Sequence, residues 1–81
     1  VTSARVYITL KEGILDPQGK IVLRALKSLG YDEVLDLRVG KYMELEMTGD
    51  DKDALEKRLG EMSERLLANP IIENYRMEVE V

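Results

Sequence analysis

The chain predicts an α+β domain of the ferredoxin-like type, ordered βαββαβ, with a four-stranded antiparallel sheet and two helices on one face. Three observations predict it. Four stretches alternate apolar and polar residues with a period of two, two stretches repeat apolar residues at helical spacing, and the order strand, helix, strand occurs twice. The 81 residues form one domain, 1–81.

The first strand runs from Ala4 to Leu10, with Val6, Ile8 and Leu10 on one face and Arg5, Tyr7 and Thr9 on the other. Lys11-Glu12-Gly13 ends it. Asp16-Pro17 opens the first helix: Asp16 can accept backbone N–H groups as the cap, and Pro17 at the first helical position gives up no donor that is needed. Val22, Ala25, Leu26 and Leu29 form the predicted buried stripe, with Lys20, Arg24 and Lys27 on the opposite face and Gly30 as the left-handed stop.

The second strand is expected over Val34–Val39 and the third over Tyr42–Thr48, joined by a tight turn at Gly40-Lys41. A two-residue turn creates a conflict. It sets Val39 opposite Tyr42, and so faces Leu37 with Glu44 and Leu35 with Glu46. An odd offset repairs this by matching Leu37 to Met43 and Leu35 to Leu45. A bulge or odd loop is therefore expected, with Gly40 at positive φ.

The second helix starts near Asp50, with Asp53 as a loose capping partner and Leu55, Leu59, Met62 and Leu66 as its buried stripe. Asp53–Lys57 and Glu61–Arg65 stand at the favourable i,i+4 spacing. Gly60 interrupts the helix and suggests a small groove that admits the first helix, the favoured reading, or a partner. Asn69-Pro70 stops the helix. Tyr75, Met77, Val79 and Val81 alternate with Arg76, Glu78 and Glu80 as the fourth strand.

Composition narrows the function classes. With 35% charged and 44% hydrophobic residues the chain suits a soluble globular class. A domain of this size buries only about 60–65% of its unfolded surface, so a partner surface would add stability. No apolar run reaches the ~18 residues of a membrane span, and Val1–Arg5 enters a strand pattern directly, which predicts no leader and a cytoplasmic location. There is no cysteine, hence no disulfide framework, and no histidine, which removes the commonest general base and zinc ligand. A net charge of −4 disfavours a nucleic-acid partner.

Single features point weakly. The acidic cluster Gly49–Asp53 is better explained by helix capping than by a metal. Glu12, Asp16, Lys41 and Tyr42 are usable chemical groups, but they form no catalytic pairing in the sequence. The outer sheet face, with Arg5, Tyr7, Thr9, Asp36, Arg38, Tyr42, Glu44, Glu46, Arg76 and Glu78, reads either as a solvated face or as a wet subunit interface.

Three motifs in register carry a resemblance: Leu15-Asp16-Pro17-Gln18-Gly19, Arg38-Val39-Gly40-Lys41-Tyr42-Met43-Glu44, and Leu66 to Tyr75 through Asn69-Pro70. In these the chain resembles the PurS family, the small subunit of phosphoribosylformylglycinamidine synthase in purine biosynthesis. The resemblance implies a non-catalytic assembly subunit, a homodimer or higher homo-oligomer. It would bridge a glutaminase subunit and a large synthetase subunit and support ammonia transfer. It implies no cofactor, metal or catalytic residue in this chain, and Mg-ATP used by the synthetase subunit. It directs attention to Asp16, Pro17, Gln18, Gly19, Arg38, Gly40, Lys41, Tyr42, Asn69, Pro70, Glu73 and Tyr75 as interface residues. The rival reading is a small-molecule-binding regulatory domain of the same fold.

Overall fold

The computed structural model describes residues 1–80. The elements are β1 (Thr2–Leu10), α1 (Pro17–Ser28), β2 (Gly40–Met47), α2 (Lys52–Met62), a π-helical turn at Ser63–Leu67, and β3 (Glu73–Glu80). Val81, expected to close the last strand, lies outside the described residues.

The sheet has three strands in the order β2-β1-β3, all antiparallel, rather than the expected four. β1 is the middle strand, with Tyr7 opposite Tyr42 on one side and opposite Arg76 on the other. Residues 34–39, expected as the second strand, pair with nothing in the sheet and run without a bend into β2. No hairpin forms at Gly40, which has neither a bulge nor a positive φ.

The reason lies in the alternation itself. A tight turn would oppose leucines to glutamates, whereas a straight run keeps every apolar odd-numbered residue on one face. From Asp36 onward the exposure pattern shows this parity: Leu37, Val39, Met43, Leu45 and Met47 are half-buried, while Asp36, Arg38, Tyr42, Glu44 and Glu46 are exposed; Leu35, 85% exposed, does not follow it. Gly40 is required instead by close approach, because a Cβ there would collide with the Ile8 carbonyl oxygen.

The core sits between the sheet and α2. Ala4, Val6 and Ile8 of β1 meet Leu55, Leu59, Ala68 and Val79, with Met43, Leu45, Met47, Met62, Leu67 and Met77 packed around them. Asp51, one residue beyond the expected start, caps α2 by accepting the Ala54 N–H at 3.3 Å. The expected stripe holds through Met62 and then shifts. Leu66 is 83% exposed, and Leu67 packs on the core in its place. The π turn explains this, since its i→i+5 bonds insert one residue and advance the inward position by one. Ser63, fully buried, satisfies its hydroxyl by donating to the Leu59 carbonyl at 2.9 Å. Arg58 pairs with Glu61 at 3.3 Å, and neither expected i,i+4 pair forms. Gly60 approaches Met77 on β3, not the first helix.

α1 forms as expected but packs differently. Asp16 caps it by accepting the Gly19 N–H, and Gly30 (φ 98°) closes it, with Tyr31 N–H donating to the Leu26 carbonyl. Yet α1 has no extensive contact with any other element. The expected buried stripe is open to solvent: Val22, Ala25 and Leu29 are exposed and Leu26 is only half-buried. Among the described residues α2 and the turn after it, through Leu67 and Ala68, cover the sheet. The molecule is therefore a slab of 48 × 24 × 14 Å.

Candidate functional site

A crevice of about 330 Å³ opens where the end of β1 meets the start of α1 and of β2. Its apolar lining comes from Ile8, Leu10, Pro17 and Val39, and its polar rim from Asp16, Gln18, Lys41 and Glu73. Chain segments that are far apart in sequence meet here through three connections.

Asp16 makes the first. One carboxylate oxygen accepts the Gly19 N–H at 2.9 Å, and the other accepts the Val39 N–H at 2.8 Å. These two donors, Val39 foremost, hold the Asp16 carboxyl below the usual carboxylate range. A buried carboxylate with two backbone donors is a fixed joint between α1 and the run into β2. Gly19 is part of the same joint, because a Cβ there would lie 2.6 Å from both Asp16 Oδ2 and the Leu37 carbonyl oxygen.

Arg38 makes the second. Its guanidinium donates to the carbonyls of Leu10 and Lys11, each at 3.1 Å, and so ties residues 34–39 to the end of β1. Lys41 and Glu73 make the third, an ion pair at 3.7 Å across β2 and β3 at the crevice mouth. Glu73 is held in turn, since Oε1 accepts the Asn69 N–H at 2.7 Å.

The structure thus gathers Asp16, Pro17, Gln18, Gly40, Lys41 and Glu73 around one opening, with Gly19 and Arg38 in its walls. It does not gather the rest. Tyr42 lies on the opposite sheet face, its ring 5.2 Å from that of Tyr7. Asn69 and Pro70 belong to the turn before β3, where Asn69 Oδ1 accepts the Ile71 N–H at 3.2 Å. The Tyr75 hydroxyl donates to Glu64 at 2.9 Å, and that bond pushes the phenol up from its ordinary value.

The outer sheet face is an ordered ladder. Arg76 stacks over Tyr7 at 4.4 Å, and Arg5 pairs with Glu80 and with Glu78. Glu78, foremost as a hydrogen-bond acceptor, raises Tyr7. Sequence reasoning passed over Ile8, Leu10 and Val39 as crevice residues, because apolar residues in strand patterns are assigned to the core by default.

Among the described residues no three His, Cys, Asp or Glu side chains are grouped to hold a metal, and no buried side-chain polar atom lacks a partner. An apolar opening with one rigid acid and one ion pair at its rim is suited to receiving another protein's side chains.

The comparisons with known proteins agree over nearly the whole chain. Residues 3–81 match the family model described as PurS: Phosphoribosylformylglycinamidine (FGAM) synthase. The chain is similar to phosphoribosylformylglycinamidine synthase subunit PurS of Bacillus subtilis, 55% identical over 94% of this chain and 89% of that protein. The Synechocystis subunit of the same name is 44% identical over 93% of this chain and 75% of that protein. Among solved structures, PurS of Bacillus subtilis superposes with a TM-score of 0.88 at 52% identity, covering 100% of both chains. A chain in the structure of PurLQS from Thermotoga maritima superposes with a TM-score of 0.86 at 25% identity, covering 98% of both chains.

Proposed function

Because the chain belongs to the PurS family and is a subunit of phosphoribosylformylglycinamidine synthase in purine biosynthesis, we propose that it acts as the assembly piece of that enzyme. It bridges the glutaminase and synthetase subunits and keeps the junction closed while ammonia crosses. It carries out no bond-making step itself. Mg-ATP and the formylglycinamide ribonucleotide are handled by the synthetase subunit, and glutamine by the glutaminase.

The observation that carries this reading is the crevice. Two of the sequence motifs that carry the resemblance, separated by eighteen residues, meet there with Glu73, and Asp16, Arg38 and the Lys41–Glu73 pair hold them rigid. A preorganised opening lets a partner dock without ordering a loop first. Excluding water at the junction matters because ammonia released into bulk water at neutral pH is protonated and loses its nucleophilic lone pair.

Reconstitution tests it. The synthetase and glutaminase subunits are assayed with and without this chain, first on glutamine and then on ammonium salt. Omitting the chain is expected to abolish glutamine-driven amidine formation and to spare most of the ammonium-driven reaction. Equal glutamine-driven rates in both arms would overturn the reading. Calorimetric binding of a free metabolite to the chain alone would replace it with a regulatory one.

A further inference from the structure

The crevice holds one acid that its own chain leaves half used. Glu73 stands at the mouth with only 12% of its side chain exposed. Its backbone N–H donates to the Asn69 carbonyl at 2.7 Å, and its Oε1 accepts the Asn69 N–H at 2.7 Å, so Asn69 holds both ends of the residue. Oε2 accepts no hydrogen bond among the described residues. The Lys41 ammonium stands 3.7 Å from it, beyond hydrogen-bond reach, on a side chain that is 60% exposed. No enclosed side-chain polar atom among these residues lacks a partner, so Oε2 is reached from outside. Asp16, the other acid on the rim, is spent by contrast, since each of its oxygens takes a backbone N–H.

We propose that the crevice receives an arginine side chain of a partner protein, with its aliphatic stem on Ile8, Leu10, Pro17 and Val39 and its guanidinium on Glu73 Oε2. This rests on the assembly reading, in which the partner is one of the other two subunits, and it supplies the chemistry by which that site takes hold.

The opening selects this occupant. A carboxylate that is nearly covered and already fixed through one oxygen loses little freedom when the other gains a donor. A charge-assisted bond there is roughly twice as strong as a neutral one. The hydrocarbon floor suits the stem of a long cationic side chain, which lies along apolar surface and keeps its charge at the edge. Gln18 offers its amide oxygen on the same rim. A planar guanidinium with several donors thus has two acceptors to meet, a match that favours arginine over lysine.

Charge weighs against the other ligands. On the rim two acids stand against one lysine, and the whole chain carries a net charge of −4. A phosphate-bearing metabolite is repelled where a cation is drawn in.

Two variants separate an incoming cation from the ion pair within the chain. Glu73→Gln removes the charge and keeps an acceptor for the Asn69 N–H. Lys41→Met removes the competing cation and keeps an apolar stem. Each is checked for folding by circular dichroism. Affinity for the synthetase and glutaminase subunits is read as the concentration of chain that half-restores glutamine-driven activity. Glu73→Gln is expected to raise that concentration by about ten-fold or more, and Lys41→Met to lower it. Equal losses in both would show that the internal pair is what matters and would overturn the proposal. A folded Glu73→Gln chain that assembles like the wild type would also overturn it, and the assembly reading survives either result. A wild-type chain that restores nothing would overturn both.

Phenylglyoxal labelling, read by mass spectrometry, identifies the occupant. An arginine of a partner subunit is expected to be shielded by the wild-type chain and reactive beside Glu73→Gln. Three results would overturn the proposal: no shielded arginine, shielding only of this chain's arginines in a second copy, or binding of free arginine by the chain alone that Glu73→Gln abolishes.

Discussion

The carboxylate of Asp16 accepts the backbone N–H of Val39 at 2.8 Å, a bond spanning 23 residues that fixes the start of α1 against the entry to β2. The same side chain caps α1 through Gly19. One residue thus sets both a helix terminus and the placement of the crevice wall.

Removing it has a measurable cost. Asp16→Ala loses the cap and leaves the Val39 N–H without its partner, so the melting temperature is expected to fall by on the order of 5–10 °C. Scanning calorimetry of the purified variant checks this, and a change under 2 °C would show that water replaces both bonds.

The pH dependence follows from the direction of the Asp16 shift. Its folded pKa lies below the ordinary value of 3.8. The stability it contributes is fully present above that ordinary value and is lost as pH falls through the folded one. Acid unfolding of the native chain should therefore steepen below about pH 4. Asp16→Asn should be less stable at neutral pH and flatter in acid, and parallel acid curves for the two proteins would contradict the assignment.

Two helical glycines should respond in opposite directions. Alanine favours a helix interior by about 0.5–1 kcal/mol over glycine. At Gly60 the new methyl would meet only the flexible end of Met77 at 3.4 Å, so Gly60→Ala should stabilise by about that amount. At Gly19 it would meet a backbone carbonyl at 2.6 Å, so Gly19→Ala should destabilise despite the better propensity. Urea midpoints for the pair decide it.

Two leucines on the second helical segment are separated by the π turn. Leu59 is fully buried and Leu66 is 83% exposed. Leu59→Ala should cost about 2–5 kcal/mol, and Leu66→Ala less than about 0.5 kcal/mol in the isolated chain. Equal losses would mean that the helix continues in ordinary α register and that Leu66 points inward.

Much of this was legible in the sequence, and the failures share a cause. The caps at Asp16 and Gly30, the alternation of β1 and β3, and the α2 stripe as far as Met62 all follow from local pattern and chemistry. Residues 34–39 carry the same alternation, but a period of two reports a face and not a partner. The Val22–Leu29 stripe likewise reports an apolar surface without saying whether its own chain covers it. The π turn left no trace, because Leu66 and Leu67 are the same residue type and either fits an inward position. The crevice was half legible: the polar residues of its rim stood out in shared motifs, while Ile8, Leu10 and Val39 looked like ordinary core.

The central position of β1 bears on how the molecule opens. Flanked by β2 and β3 and covered by α2, with Val6 and Ile8 almost wholly enclosed, β1 cannot release its amide protons unless the whole sheet comes apart. α1 has no such protection within one chain and frays by itself. Hydrogen exchange should therefore be slowest in β1 at every protein concentration. In α1 it should be fast in dilute solution and slow wherever something else holds the helix down, so the helix reports on its surroundings while the strand reports on the fold.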